Sequence, residues 1–305
     1  MREGENPCTD GVCGIVPALV TPFTPEEELN LAAFRTLIRH VLSAGVHGVF
    51  VSGTTGEFYA LSIDEKRALF EAAMDEAGDV VPVYAGTGGV TTREAVRLTR
   101  MAESIGIDAV SILTPMFIHP SDDELYEHYK TLAESVSIPV ILYANPSRTG
   151  VDLSPRLVSR LARIENIVGI KDSSGDLTQT MAYVSSSDPG FSVLAGKDSL
   201  IYATLCCGGS GAVAATANIV PSLVVRIYET FVAGEHKAAR QAQMQLAPLR
   251  EAFRLGTFPQ VLKEAVGMIG IDVGPARAPV GCLNESDRAV LAAAIHVAQQ
   301  EIPCS

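Results

Sequence analysis

The sequence predicts an α/β fold, a closed (β/α)8 TIM barrel with additional C-terminal helices. Three observations carry this prediction. Eight short apolar or β-branched runs each end in Gly, Thr, Asn or Pro and lead into an amphipathic stretch. The runs start roughly every 20 to 35 residues, the spacing of consecutive βα units. Their nearly continuous apolar character marks strands of a parallel sheet covered by helices. No linker or low-complexity segment interrupts the series before Gly234, which favours a closed ring of eight over a doubly wound open sheet.

Taken in chain order, strands are expected at 15–20, 48–51, 80–85, 109–113, 139–144, 167–171, 192–195 and 211–214. Helices are expected near 31–44, 63–77, 92–104, 122–135, 154–162, 177–185, 200–206 and 221–233. The chain from Glu235 onward reads as three further helices. Residues 1–234 are therefore expected to form the barrel, and 235–305 a helical extension packed on it.

Composition narrows the function classes. Of 305 residues, 47% are hydrophobic and 19% charged, the balance of a folded chain with a large core. A formal net charge of −12 argues against nucleic acid and against anionic membranes as partners. The long uncharged stretch 199–225 is broken by Gly208, Gly209, Gly211, Asn218 and Pro221, so it reads as barrel interior rather than a membrane span. The first twelve residues lack the apolar segment of a signal peptide, which points to a cytoplasmic protein. Cys8, Cys13, Cys206, Cys207, Cys282 and Cys304 show no zinc-like spacing and are expected as free, buried thiols in a reducing compartment. The six histidines form no HxH or HExxH set, so no metal and no cofactor are expected.

In such a barrel the chemistry sits where strands end and helices begin. Lys171 closes the apolar run 167–170, and strict alternation would put Ile167, Gly169 and Lys171 on one face. Facing inward, Lys171 would lie at the barrel mouth, with Gly169 leaving space beneath it. Burial there disfavours the charged ammonium, and a free amine attacks a ketone to form an imine. The alternative is a lysine that ends a strand and reaches water. Tyr143 ends the neighbouring strand, where a phenol can move protons during imine formation; otherwise it is a half-buried aromatic. Thr54 and Thr55 lie in the Gly-bracketed turn 53–57 and could bind a carboxylate and relay protons, or simply shape the turn. Arg148, on the loop between Ser147 and Thr149, offers a planar fork for a carboxylate or a surface ion pair. The Gly-rich stretch 86–89 reads as a tight βα turn. Asp64, Glu65 and Glu134 read as helix surface and caps.

The motifs GTTGE, YANPSRTG and GIKDSSGD, in this order at successive strand ends, resemble those of the dihydrodipicolinate synthase / N-acetylneuraminate lyase family of class I aldolase-like enzymes. The resemblance covers nearly the whole chain. It implies that Lys171 is the Schiff-base lysine, Tyr143 the catalytic tyrosine, Thr54 part of a proton relay and Thr55 the ligand of the pyruvate carboxylate. It further implies that the backbone at Val213 lines the pyruvate site. Arg148 would bind the carboxylate of aspartate semialdehyde, as in the synthases. Phe117 stands where the synthases usually place a tyrosine that reaches into a neighbouring subunit's relay, and Met116 supplies no hydroxyl in its stead. The resemblance also implies a homotetramer, a dimer of dimers.

Three functions stay open at this level. One is a dihydrodipicolinate synthase-like lyase that condenses pyruvate with an aldehyde, to which Arg148 points. The second is an aldolase or dehydratase acting on a 2-keto-3-deoxy sugar acid or another 2-oxo acid, to which Phe58 and Phe117 point. The third is a catalytically silent protein that binds 2-oxo acids.

Overall fold

A computed structural model describes residues 12–300 of the chain. Cys8, Cys304 and most of the segment read for a signal peptide lie outside the described residues.

Eight strands form one parallel sheet: β1 (Gly14–Pro17), β2 (Val49–Val51), β3 (Val83–Gly86), β4 (Ala109–Leu113), β5 (Val140–Ala144), β6 (Ile167–Asp172), β7 (Ser192–Ala195) and β8 (Gly211–Ala214). From β2 to β8 each strand pairs with the next in sequence, and β8 pairs with β1. The remaining gap is bridged where Ala18, just past β1, pairs with Phe50 of β2. The sheet is thereby a barrel.

Nine helices follow within the barrel repeats: α1 (Leu31–Leu42), α2 (Ile63–Ala77), α3 (Thr92–Ile105), α4 (Asp122–Ala133), α5 (Pro146–Thr149), α6 (Pro155–Leu161), α7 (Leu177–Ser186), α8 (Ile201–Cys206) and α9 (Pro221–Val232). Three more complete the described chain: α10 (His236–Ala252), α11 (Gln260–Met268) and α12 (Glu285–Gln299). Local chemistry sets the starts. Ser62 before α2 and Ser121 before α4 each form a capping box with the glutamate three residues on, Glu65 and Glu124. The one-turn α5 was not foreseen. It begins at Pro146, whose fixed φ suits the first helical position, and ends at Gly150 in the left-handed region. Arg148 therefore sits on a short helix rather than on a loop.

Two apolar cores result. The larger fills the shell between strands and helices. The smaller lies inside the barrel and includes Val16, Phe50, Tyr84, Ile141, Leu194 and Val213. Cys206, Cys207 and Cys282 are free as expected, but Cys206 and Cys282 are exposed and Cys207 half-buried rather than buried, and Cys13 is disulfide-bonded. Spacing could not reveal this, because a disulfide needs only spatial proximity. Among the described residues no helix is long and apolar enough to cross a membrane.

Candidate active site

The centre is built by β5 and β6. Tyr143 and Lys171 are register partners, so their side chains leave adjacent strands at the same height, about 4.8 Å apart. Each is only 4% exposed. The Lys171 Nζ lies 4.0 Å from the centre of the Tyr143 ring and 4.6 Å from that of Phe50. The adjoining carboxylate, Asp172, is engaged elsewhere: it accepts hydrogen bonds from the Ser174 amide (2.9 Å) and the Thr180 hydroxyl (2.6 Å), fixing the turn into α7.

The inward aim of Lys171 depends on a β-bulge. Val140 pairs with Ile167, but Ile141 pairs with Gly169, so Val168 is an extra residue in β6. Ile167 packs in the outer core and Val168 against the inner one. Strict alternation from Ile167 to Lys171 is therefore broken. Gly169 has a different use from the expected space beneath Lys171. A Cβ there would come 2.6 Å from the Ser192 carbonyl oxygen, so glycine lets β6 and β7 approach.

The Tyr143 hydroxyl shares a 3.2 Å hydrogen bond with Thr54 Oγ1 and accepts one of 3.1 Å from the Asn145 amide. Burial alone raises the phenol's pKa. The positive charge of Lys171 and hydrogen bonds from Thr54, Asn145 and Ser173 outweigh that, and the phenol ends below its ordinary value. Asn145 carried no role in the sequence reading. It lies one residue past β5, at the start of α5, and its place at a strand end two residues after Tyr143 is the signal that could have found it.

The turn carrying Thr54 and Thr55 is anchored from below. Gly53 O accepts from the amides of Gly56 (3.0 Å) and Phe58 (3.2 Å). Glu57 adopts a left-handed backbone, φ 55°, and pairs with Lys263 of α11 at 2.8 Å, with side-chain exposures of 1% and 0%. Lys263 also donates to the Pro275 carbonyl (2.7 Å) and covers the Phe23 ring. Burial pulls Lys263 down to about 8, against the attraction of Glu57. Beside it, Arg277 donates its backbone amide to Glu57 (3.1 Å) and its guanidinium to Glu65, Ala60 O and Glu27 O. Glu65 thus does more than cap α2. The Arg277 hydrogen bond holds its carboxyl at about 2.

Above this centre opens a cavity of about 420 Å³. Thr54, Thr55, Tyr143, Arg148, Lys171 and Val213 all line it. Phe117 does not: it projects from the segment after β4, 92% exposed, with φ 73°. The cavity also takes residues the sequence reading passed over, chiefly Lys197 after β7 and Arg250 in the last turn of α10.

Fold and site together define a (β/α)8-barrel enzyme with a buried amine and phenol side by side at the mouth. The chain matches the model of the dihydrodipicolinate synthetase family over residues 12–298, and it belongs to that family. It is 39% identical over 280 residues to a 4-hydroxy-tetrahydrodipicolinate synthase of Methanopyrus kandleri, covering 91% of this chain and 93% of that one. It is likewise 39% identical over 283 residues, 93% of each chain, to an uncharacterized DapA-like lyase of Halobacterium salinarum. Among solved structures, the dihydrodipicolinate synthase DapA-2 of Bacillus anthracis superposes with a TM-score of 0.90 at 33% identity, covering 93% of this chain and 97% of that one. YagE, an E. coli K12 prophage protein of the same family solved in complex with pyruvate, gives the same four values.

Proposed function

We propose that this enzyme is a pyruvate-dependent carbon–carbon lyase of the 4-hydroxy-tetrahydrodipicolinate (dihydrodipicolinate) synthase type, with Lys171 as the Schiff-base nucleophile. The observation that carries the reading is the in-register pair of Lys171 and Tyr143, buried and joined through the phenol to Thr54. Pyruvate bound to YagE and the names of the relatives support it.

In this reading the free amine of Lys171 attacks C2 of pyruvate, whose carboxylate is held at Thr55 near the Val213 backbone. The carbinolamine loses its hydroxyl as water and an iminium forms. A C3 proton then leaves, the electron pair settles as an enamine, and C3 bonds to the carbonyl carbon of the acceptor aldehyde while its oxygen takes a proton. Tyr143 delivers and recovers these protons, with Thr54 as its hydrogen-bonded partner. Arg148 holds an acidic group on the acceptor aldehyde.

A sugar-acid aldolase is the second reading. Phe117 favours it, since it has no hydroxyl to complete a relay and no place in its own chain's cavity. The exposure of Phe117 and its neighbour Ile118 supports an assembly that covers them, and a homotetramer is the form we propose. We place the reaction in the cytoplasm, with the Cys13 disulfide as the observation that pulls against it.

The test is borohydride reduction with pyruvate, followed by peptide mass mapping. A reduced pyruvyl adduct on Lys171, absent from Lys171→Ala, is the expected result. An adduct retained in that variant, or none in the wild-type enzyme, removes the assignment.

A further inference from the structure

The outer half of the cavity carries an excess of positive charge that the chemistry at Lys171 does not use. Arg148 enters from α5, Lys197 from the loop after β7, and Arg250 from the end of α10. The Lys197 stem lies over the turn at Gly175, where an added Cβ would sit 3.7 Å from its Cε. Among the described residues, none of the three cations has a carboxylate within salt-bridge distance. Arg254, which also lines the cavity, is already paired with Glu251 at 2.9 Å.

The one carboxylate in the lining is committed. Asp198 is buried, and its two oxygens accept the backbone amides of Ala215 (3.3 Å) and Thr216 (2.7 Å). It therefore belongs to the scaffold of the β8 loop. The three cations also feel one another. Burial first, then the charges of Arg250 and Arg148, hold Lys197 below its ordinary value, against the weaker attraction of Tyr143 and Asp198. Three like charges from three separate elements, converging on one cavity with none of them in a salt bridge, form a field that an anion of more than one charge relieves. A single carboxylate on Arg148 would leave Lys197 and Arg250 unmatched.

We propose that Lys197 and Arg250 join Arg148 in a cradle for a doubly charged acid terminus on the acceptor aldehyde, a phosphoryl group or a pair of carboxylates. Lys197 and Arg250 are then specificity-determining residues for the condensation. An acceptor whose ammonium balances its carboxylate finds no free carboxylate in the lining. The proposal rests on Lys171 being the nucleophile for its kinetic arm and is independent of that reading for its binding arm.

The binding arm uses the enzyme without pyruvate. Calorimetric titration with inorganic phosphate and, separately, with malonate should show binding to wild type that weakens at least tenfold in Lys197→Met/Arg250→Met. Phosphate preference points to a phosphoryl terminus and malonate preference to paired carboxylates. No binding of either anion to wild type, or equal binding to the double variant, overturns the cradle.

The kinetic arm compares glyceraldehyde with glyceraldehyde 3-phosphate as acceptors for pyruvate. The phosphate ester should gain at least tenfold in kcat/KM in wild type, chiefly through KM, and lose that gain in the double variant. An equal ratio of the two acceptors in both enzymes overturns the specificity role. Borohydride trapping of pyruvate at wild-type yield in the double variant shows that its fold and nucleophile are intact. Absence of trapping in wild type counts against Lys171 and leaves the binding arm to decide the cradle.

Discussion

Lys263 and Glu57 hold the Thr54–Thr55 turn from beneath, and replacing Lys263 with methionine isolates that role. At an effective dielectric of about 20, unit charges 2.8 Å apart attract by roughly 6 kcal/mol. Desolvation nevertheless leaves Lys263 at about 8, below its ordinary 10.5, so burial outweighs the attraction. The pair is thus costly to break and adds little net stability. Lys263→Met leaves the Glu57 carboxylate buried with the Arg277 amide at 3.1 Å as its remaining donor. Removing one partner of such a pair costs about 3–5 kcal/mol. Combining it with Glu57→Gln removes both charges and should recover about half of that loss, because no orphaned ion remains.

Urea unfolding of wild type, both single variants and the double variant at pH 7 reads this directly. The single costs should exceed the double-variant cost by an interaction energy of about 2 kcal/mol or more. Pyruvate trapping should slow in Lys263→Met and return toward the wild-type rate in the double variant, since the turn carries Thr54 and Thr55. Additive costs within about 0.5 kcal/mol would refute the reasoning, because independent sites behave that way.

Two other perturbations probe separate links. Tyr143→Phe removes the hydroxyl shared with Thr54 and Asn145 and should lower kcat by about 10²–10⁴-fold, with pyruvate affinity little changed; an unchanged kcat would leave Tyr143 a packing role. His128 is buried on α4, with Nδ1 on Thr92 at 2.8 Å, and burial holds it at about 4 against an ordinary 6.5. The unfolded chain takes up that proton below about 6.5 and the folded chain only near 4, so the stability it contributes is complete above 6.5 and is lost as pH falls through this window. The loss is about 3 kcal/mol at most, and the unfolding free energy of His128→Gln should fall less steeply between pH 6.5 and 4. Equal slopes in both proteins would exclude His128 as the group responsible.

The parts of this protein that could be read from sequence are those whose position along the chain already implies a position in space. In a βα repeat every strand end lies at the mouth, so Thr54, Tyr143 and Lys171 could be placed together once the eight runs were recognised. Ala109–Leu113 was recovered without error because a fully covered strand is apolar at every position. The β6 bulge was invisible for the opposite reason. A register shift belongs to the pairing of two strands, and nothing in the residues 167–171 alone marks Val168 as the extra one.

The same reasoning explains why Arg250 and Arg277 escaped notice, whereas Lys197, at a strand end, was within reach of it. Arg250, Lys263 and Arg277 lie outside the βα repeats, on a C-terminal segment whose packing no period predicts. That segment nonetheless reaches the site twice, from below through Lys263 and Arg277 against the GTTGE turn, and from above through Arg250 at the cavity. The repeats supply the buried amine of Lys171, the phenol of Tyr143 and the threonine turn. The segment after them holds that turn in place and adds the charge of Arg250 to the cavity. Substitutions in the C-terminal helices should therefore change acceptor choice and turn rigidity while leaving Tyr143 and Lys171 paired across β5 and β6, since that register belongs to the strands.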